Sequence, residues 1–137
     1  MELKDLVQME HEEFKIKNKG KAKMFLAFHT LGNGICFGGI RLLECDANEQ
    51  AFRDALRLSE AMTHKLSLIG EPFGGCKGVV LIPKEGKSRE FLEDIGDLVE
   101  EEGGRFVSAI DFGFEPDDAK IIREKTKWIL AVKDSEF

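Results

Sequence analysis

This 137-residue sequence has no long apolar run, no basic excess and no metal-binding cluster. No uninterrupted apolar stretch approaches the roughly 18 residues that a membrane span requires, so we expect no membrane partner. The opening Met-Glu-Leu-Lys-Asp-Leu does not join a basic segment to an apolar one, which argues against a signal peptide. We therefore expect a cytoplasmic protein, and the length suits a single domain, residues 1–137.

The charge balance and the cysteines exclude further classes of function. The formal net charge is −6, and no basic stripe with interleaved aromatics is present, so we expect no nucleic-acid partner. Cys36, Cys45 and Cys76 are odd in number and contain no C-x-x-C pair, which argues against both a disulfide framework and a zinc site. The three histidines form no H-E-x-x-H pattern, so we expect reduced thiols and no metal centre.

The hydrophobic pattern alternates between strand and helix periods. Residues 13–17 and 24–31 flank a polar turn and predict an antiparallel hairpin. Further strands are predicted at 35–43, 76–83, 105–110 and 128–132, and helices at about 47–68, 88–102 and 116–125. This order predicts an α/β fold with three layers and a mostly parallel mixed sheet, with the antiparallel hairpin on its N-terminal side.

Helix ends are marked by specific residues. Asp46, followed three residues later by Glu49, predicts a capping box for the first helix. Gly70 is placed to follow the end of that helix, and Ser88 to cap the start of the second.

Two lysines within residues 62–78 occupy positions that are unusual for charged residues. Lys65 closes the first predicted helix, and Lys77 follows a predicted glycine-rich turn. Gly74 and Gly75 allow positive φ angles and the close approach of a ligand or another chain. Loss of solvent disfavours the charged form of a lysine, so Lys77 is a candidate general base. The alternatives are that Lys77 is a solvated loop residue and that Lys65 only compensates the helix dipole.

Other candidate ligand-facing groups lie at strand ends or inside strands. Gly38 and Gly39 interrupt a predicted strand, which indicates a bulge or a close backbone approach. Asp111 follows another predicted strand, where it is either a turn residue or a ligand-facing carboxylate. Ligands of α/β sheets usually bind at strand ends. The glycines are not a Walker A loop, because Cys76 stands where that loop needs lysine.

Five ordered segments together resemble a known family. In order and spacing they are similar to the N-terminal, dimerisation and substrate-binding domain of the glutamate/leucine/phenylalanine/valine dehydrogenases, most of all the leucine-specific members. The segments are Gly38-Gly39-Ile40-Arg41, Asp54-Ala55-Leu56-Arg57-Leu58, Met62-Thr63-His64-Lys65, Gly74-Gly75-Cys76-Lys77-Gly78 and Asp111-Phe112-Gly113.

The resemblance implies an activity and a set of roles. Family members oxidatively deaminate an L-amino acid to a 2-oxo acid and ammonia, and pass a hydride to NAD(P). It implies that Lys65 holds the substrate carboxylate, aided by the backbone of Gly38 and Gly39. It also implies that Lys77 is the base that activates the attacking water, and that Asp111 carries protons to and from the amine.

Two positions bear on the substrate, and one of the departures from the family pattern bears on Lys77. Glutamate-specific members carry lysine immediately before the glycine pair, whereas this sequence has Phe37, which with Ala109 implies an apolar substrate side chain. Cys76 stands where the family usually has glycine or alanine, and its sulfur is in a position to crowd Lys77.

The sequence ends at Phe137, where the family's nucleotide-binding domain should begin. We therefore expect no cofactor site in this chain, with NAD(P) implied only if a separate dinucleotide-binding subunit or a longer chain supplies it. We also expect self-association into a dimer or larger assembly through the hairpin carrying Phe25 and Phe28. The alternative is a non-catalytic module that binds a small amino or 2-oxo acid, or serves only in assembly.

Overall fold

The computed structural model describes residues 11–110 and 113–130. No helix among them is long and apolar enough to cross a membrane. The described elements are, in chain order, β1 Glu13–Lys19, β2 Ala22–Phe28, β3 Cys36–Leu43, α1 Asn48–Leu68, β4 Gly74–Leu81, α2 Arg89–Glu100, β5 Phe106–Ile110 and α3 Pro116–Arg123.

The five strands form one mixed sheet in the order β1-β2-β4-β3-β5. β2 is antiparallel to both β1 and β4, whereas β3 is parallel to both β4 and β5, so four of the five strands run in one direction. α1 covers one face, called here the α1 side, and α2 and α3 cover the opposite α2 side. The predicted three-layer α/β fold with an N-terminal hairpin is confirmed.

Strand alternation divides the apolar side chains of the sheet between two cores. In β2, Met24, Leu26 and Phe28 face the α2 side, whereas Phe25 and Ala27 face the α1 side. All five are buried, because β2 lies between β1 and β4 and has helices on both faces. The expectation that Phe25 and Phe28 belong to a surface for self-association is therefore wrong.

The helix ends follow the sequence signals with one exception. Ser88 Oγ accepts a hydrogen bond from Phe91 N at 3.1 Å, and Gly70 follows the end of α1 with φ of 74°, so both predictions are confirmed. The capping box of Asp46 with Glu49 is wrong. α1 begins one residue later, with Ala47 as an N-cap that makes no side-chain hydrogen bond, because a turn formed by Ala47 N and Glu44 O shifts its start.

The predicted last strand is reduced to a single bridge. Ile129 pairs in parallel with Ser108 of β5, through hydrogen bonds from Ser108 N to Trp128 O and from Leu130 N to Ser108 O. Residues 131 and 132 of that predicted strand lie outside the described residues.

The glycines around Lys77 serve close packing rather than a turn. Gly74, Gly75 and Gly78 lie within β4, and none of them has a positive φ, so the predicted glycine-rich turn is wrong. Gly75 instead faces α1 directly, and a Cβ built on it would lie 2.3 Å from Thr63 N and 2.5 Å from Ser59 O. This contact determines how close α1 lies to the sheet.

An ion-pair network on the α2 side joins the hairpin to the end of α2. The Glu102 carboxylate lies 2.6 Å from Lys17 Nζ, 2.9 Å from Lys15 Nζ and 2.9 Å from Arg105 Nη2. Burial opposes ionisation of Glu102, but hydrogen bonds from Lys17, Lys15 and Arg105 outweigh it and lower its pKa to about 2. A hydrogen bond from Arg105 likewise lowers the pKa of Glu13.

The substitution Gly75→Ala is expected to destabilise the fold by about 1–3 kcal/mol, because the added methyl group overlaps backbone atoms of α1 that cannot rotate away. Urea unfolding measures the loss. Gly78→Ala is the matched control in the same strand, since the nearest atoms to its Cβ would be side-chain atoms of Phe106, Ile40 and Met24 at 3.3–3.6 Å rather than backbone. Equal stability losses in the two variants would contradict the assigned role of Gly75.

The Glu102 network predicts a pH-dependent contribution to stability. Because the folded pKa of about 2 lies below the usual 4.5, ionised Glu102 stabilises the fold above about pH 4.5, and this stabilisation falls as the pH drops towards 2. We expect Glu102→Gln to lower the free energy of unfolding by about 2 kcal/mol at pH 7. The urea midpoint of Glu102→Gln should approach that of the parent chain as the pH is lowered from 7 to 2. A constant difference across that range would count against the network.

Candidate functional site

A cavity of about 360 Å³, called cavity 1, lies between α1 and the sheet. Its volume falls within the range of small-molecule binding sites. Its floor is formed by β3, β4 and β5, and its roof by the C-terminal half of α1. The lining residues are Gly38, Gly39, Arg41, Leu58, Ala61, Met62, Lys65, Cys76, Lys77 and Ala109.

Strand register builds the floor of cavity 1. Ile40 of β3 pairs with Gly78 of β4 in parallel. The residues that precede them, Gly39 and Lys77, are therefore neighbours. Gly39 also pairs with Ala109 of β5, so three residues from three strands form a row on the α1 side. Because two members of this row are glycine and alanine, little side-chain volume fills the space beside Lys77.

Helical periodicity builds the roof. Leu58, Ala61, Met62 and Lys65 recur at intervals of three and four, which places them on one face of α1. The close contact between Gly75 and α1 holds this face over the floor. Lys65 lies in the last turn of α1 and is exposed, so solvent reaches the cavity lining at this residue.

Lys77 is buried, with 7% of its surface exposed, which rules out a solvated loop residue. It lies within β4, where Ala27 of β2 is its partner on the side away from Gly39. Lysine is seldom buried to this extent in folded proteins. The small neighbours on both sides give its long side chain room between the sheet and α1.

The glycine pair of β3 allows a close backbone approach. A Cβ on Gly38 would lie 1.7 Å from the Cys76 carbonyl oxygen. The register of β3 with β5 is unbroken from Cys36 to Ile40, so the pair does not form a bulge. The sequence predicted either a bulge or a close backbone approach at Gly38 and Gly39, and the structure shows the close approach.

Cys76 does not crowd Lys77. Its side chain is fully buried in the core on the α2 side, opposite the face that carries Lys77, although Cys76 also borders cavity 1. Burial raises the pKa of the Cys76 thiol well above its usual value, so the thiol stays protonated. Cys36, Cys45 and Cys76 are all free thiols.

Arg41 lines cavity 1, a role that was not predicted from the sequence. Its position two residues after Gly39 was the available signal, because alternate residues of a strand share a face. Arg41 Nη1 lies 3.5 Å from Asp54 Oδ2, and this buried carboxylate of α1 also accepts a hydrogen bond from Gln50 Nε2 at 2.7 Å.

The remaining predicted site residues are not all in cavity 1. Phe37 lines a separate cavity and packs against Phe73. Asp111 lies outside the described residues. Gly113, two residues later in the chain, has a φ of 96°, and its carbonyl oxygen accepts a hydrogen bond from Lys87 Nζ at 2.9 Å.

The described lining of cavity 1 contains three cations and no carboxylate. Arg41, Lys65 and Lys77 together favour an anionic ligand. The arrangement supplies an exposed lysine for a carboxylate, a buried lysine beside bare backbone for proton transfer, and apolar side chains of Leu58 and Met62 for the rest of a small ligand.

Comparison with known proteins assigns the chain to a family. The model described as "Glu/Leu/Phe/Val dehydrogenase, dimerisation domain" matches residues 6–128. The chain belongs to this family. The membership expected from the sequence is thus confirmed, and the family's domain accounts for the fold described above.

Relatives within the Glu/Leu/Phe/Val dehydrogenase family differ in substrate. The chain is 33% identical over 129 residues to L-tryptophan dehydrogenase of Nostoc punctiforme, a match that covers 93% of this chain and 36% of the relative. It is 34% identical over 114 residues to leucine dehydrogenase of Bacillus cereus, which covers 82% and 31%. Phenylalanine dehydrogenase of Thermoactinomyces intermedius is 39% identical over 97 residues, which covers 70% and 26%. The chain therefore spans about a third of the length of these relatives.

Solved structures agree with the fold. The crystal structure of L-tryptophan dehydrogenase from Nostoc punctiforme superposes with a TM-score of 0.84 at 32% identity, covering 93% of this chain and 39% of that one. A hetero-hexameric glutamate dehydrogenase from Thermus thermophilus, in a leucine-bound form, superposes with a TM-score of 0.63 at 18% identity, covering 84% and 30%. The second similarity supports the fold alone.

Proposed function

We propose that this chain is the substrate-binding and dimerisation domain of an amino-acid dehydrogenase that deaminates an apolar L-amino acid to its 2-oxo acid. The observation that carries the proposal is cavity 1, in which Lys65 and the buried Lys77 face glycine backbone. The names of the tryptophan, leucine and phenylalanine dehydrogenases among its relatives support an apolar substrate.

Lys65 binds the substrate carboxylate in this proposal. Its ammonium group is at the exposed end of the α1 face that lines the cavity, where a charged ligand can reach it from solvent. Gly38 and Gly39 offer backbone without side chains on the floor below.

Lys77 acts as the general base that activates the attacking water, and Asp111 moves protons to and from the amino group. Burial of Lys77 keeps bulk water away from its amine, which favours proton transfer to a bound reactant. Asp111 follows β5 directly, two residues after Ala109 of the cavity floor. Ala109, together with Leu58 and Met62, contacts the apolar side chain of the substrate.

The nicotinamide dinucleotide used in this family finds no matching site in the described part of the chain. A dinucleotide site needs a glycine-rich turn from a strand into a helix, whereas the three such turns between the described strands and helices, 44–47, 82–88 and 111–115, contain at most one glycine each. We propose that another domain, in a longer chain or a separate subunit, supplies NAD(P). That domain accepts the hydride, and the present residues bind and orient the substrate and move its protons.

Lys65→Ala should abolish the stabilisation of this chain by 2-oxo acids. At a ligand concentration near 100 times the dissociation constant, binding to the folded chain alone should stabilise it by about 2.7 kcal/mol. The measurement is the melting temperature with 4-methyl-2-oxopentanoate and 3-phenylpyruvate. Lys84→Ala is the matched control, because Lys84 is an exposed lysine of the β4–α2 loop outside cavity 1.

If no 2-oxo acid raises the melting temperature, or if the rise survives Lys65→Ala, the proposed carboxylate site is wrong. Turnover separates an enzyme from a binding module. Oxidation of an amino acid with NAD(P) should appear only when a dinucleotide-binding domain is present. Ligand binding with no turnover under that condition would identify the chain as a non-catalytic binding module.

We also propose that the chain self-associates through β1. β1 is an edge strand of the sheet, and no other described strand pairs with its outer side. Ile16 on this strand is 44% exposed. At the opposite edge, the Ser108–Ile129 bridge partly covers β5. An edge strand that no other described strand covers, and that carries an exposed apolar residue, favours pairing with a second copy.

Ile16→Lys should convert the assembly to a monomer, because the charge would have to be buried between the two copies. Light scattering at micromolar concentration measures the mass. Ile35→Lys is the control, since Ile35 is 39% exposed but lies outside β1. A parent chain that is already monomeric, or equal effects of the two substitutions, would count against β1 as the interface.

A further inference from the structure

Phe37 was expected in the substrate cavity, but its ring lies elsewhere. It packs edge-on against Phe73, with ring centroids 4.7 Å apart and an interplanar angle of 72°. Both rings line a second cavity of about 480 Å³, called cavity 2, together with Val107 and Trp128. The Phe37 ring is therefore held away from cavity 1.

Cavities 1 and 2 are adjacent along one face of the sheet. Phe37 and Gly39 are alternate residues of β3, and Val107 and Ala109 are alternate residues of β5. Alternate residues share a face, and Phe37 pairs with Val107 just as Gly39 pairs with Ala109. Phe37 therefore lies two residues before Gly39 on the same face of β3. Because Gly39 has no side chain, nothing at that position blocks the Phe37 ring from entering cavity 1.

The backbone of Phe73 is held firmly enough to position a neighbouring ring. Phe73 forms an antiparallel bridge with Gly32, and the next residue, Gly74, donates a hydrogen bond from its N to Ile35 O at 3.0 Å. A Cβ on Gly32 would lie 2.7 Å from the Phe73 carbonyl carbon, so the two segments are in close contact. The edge-to-face geometry is the favoured one for an aromatic pair.

We propose that Phe73 is a positioning residue that sets the size of the ligand side chain accepted by cavity 1, by holding the Phe37 ring in cavity 2. While the two rings are paired, the space above Gly39 and Ala109 stays open for a bulky apolar side chain. Without Phe73, the Phe37 ring turns over Gly39 and fills that space. This inference rests on the proposed function of cavity 1 and adds a residue outside that cavity that determines how large an apolar side chain the cavity accepts.

The experiment compares the dissociation constants of 3-phenylpyruvate and 2-oxobutanoate, measured by calorimetry on the full chain. Phe73→Ala should lower the preference for 3-phenylpyruvate about tenfold or more, the scale of discrimination by apolar pockets. Adding Phe37→Ala to Phe73→Ala should restore the preference, because no ring is left to enter cavity 1. A purely structural role of Phe73 predicts no such rescue.

Phe52→Ala is the matched control. It breaks another edge-to-face pair, Phe14 with Phe52, in which the ring centroids are 4.9 Å apart and the interplanar angle is 71°. Neither ring lines cavity 1 or cavity 2. We expect its ligand preference to equal that of the parent chain. A change as large as that of Phe73→Ala would overturn the proposal, since general loosening of the fold would then explain both.

The remaining outcomes are equally decisive. If Phe73→Ala does not fold, Phe73→Leu should lower the preference in the same direction, and an unchanged ratio there would overturn the inference. An unchanged ratio in Phe73→Ala, or no rescue in the double variant, would do the same. If the binding of both ligands requires Lys65 but the ratio of their dissociation constants does not change when Phe73 is replaced, only this inference fails. If neither ligand binds the parent chain, the proposed function fails with it.

Discussion

The close approach of α1 to β4 at Gly75 is the constraint on which the site depends. With backbone atoms of Ser59 and Thr63 where a Cβ would stand, only glycine allows the helix to lie this low over the sheet. The same contact determines how far the neighbouring residues of α1 lie above the sheet. Met62 and Lys65 therefore lie over the floor of cavity 1, at a distance set by backbone packing rather than by flexible side chains.

The two faces of the sheet divide stability from ligand binding. On the α2 side, α2 and α3 pack over large apolar residues of the sheet. The ion pairs of Glu102 with Lys15 and Lys17 join the hairpin to the end of α2. The α1 side is filled with apolar residues near β2, but it leaves small residues on β3 and β5 where cavity 1 opens. Lys77 stands at the boundary between these two regions, which explains how a lysine can be buried and still border a cavity.

Local patterns predicted most of the described elements. The strand period of β2, the helical period of α1, the cap at Ser88 and the terminating Gly70 depend on residues close together in the chain, and all agree with the structure. The failures have two origins. A local turn between Glu44 and Ala47 displaced the predicted Asp46 cap. Tertiary contacts instead overrode the predicted glycine turn before Lys77 and the self-association surface assigned to Phe25 and Phe28.

By itself the sequence determined the order of strands and helices, the family, and the residue types available to a site, because these follow from periodicity and from ordered motifs. Only the tertiary structure decided that Lys65, Lys77, Gly38, Gly39 and Ala109 line one cavity, that Arg41 joins them and that the Phe37 ring turns towards Phe73. The reason is that the pairings Ala27–Lys77 and Gly39–Ala109 join segments 50 and 70 residues apart. No spacing along the chain specifies which strands meet, or in which register.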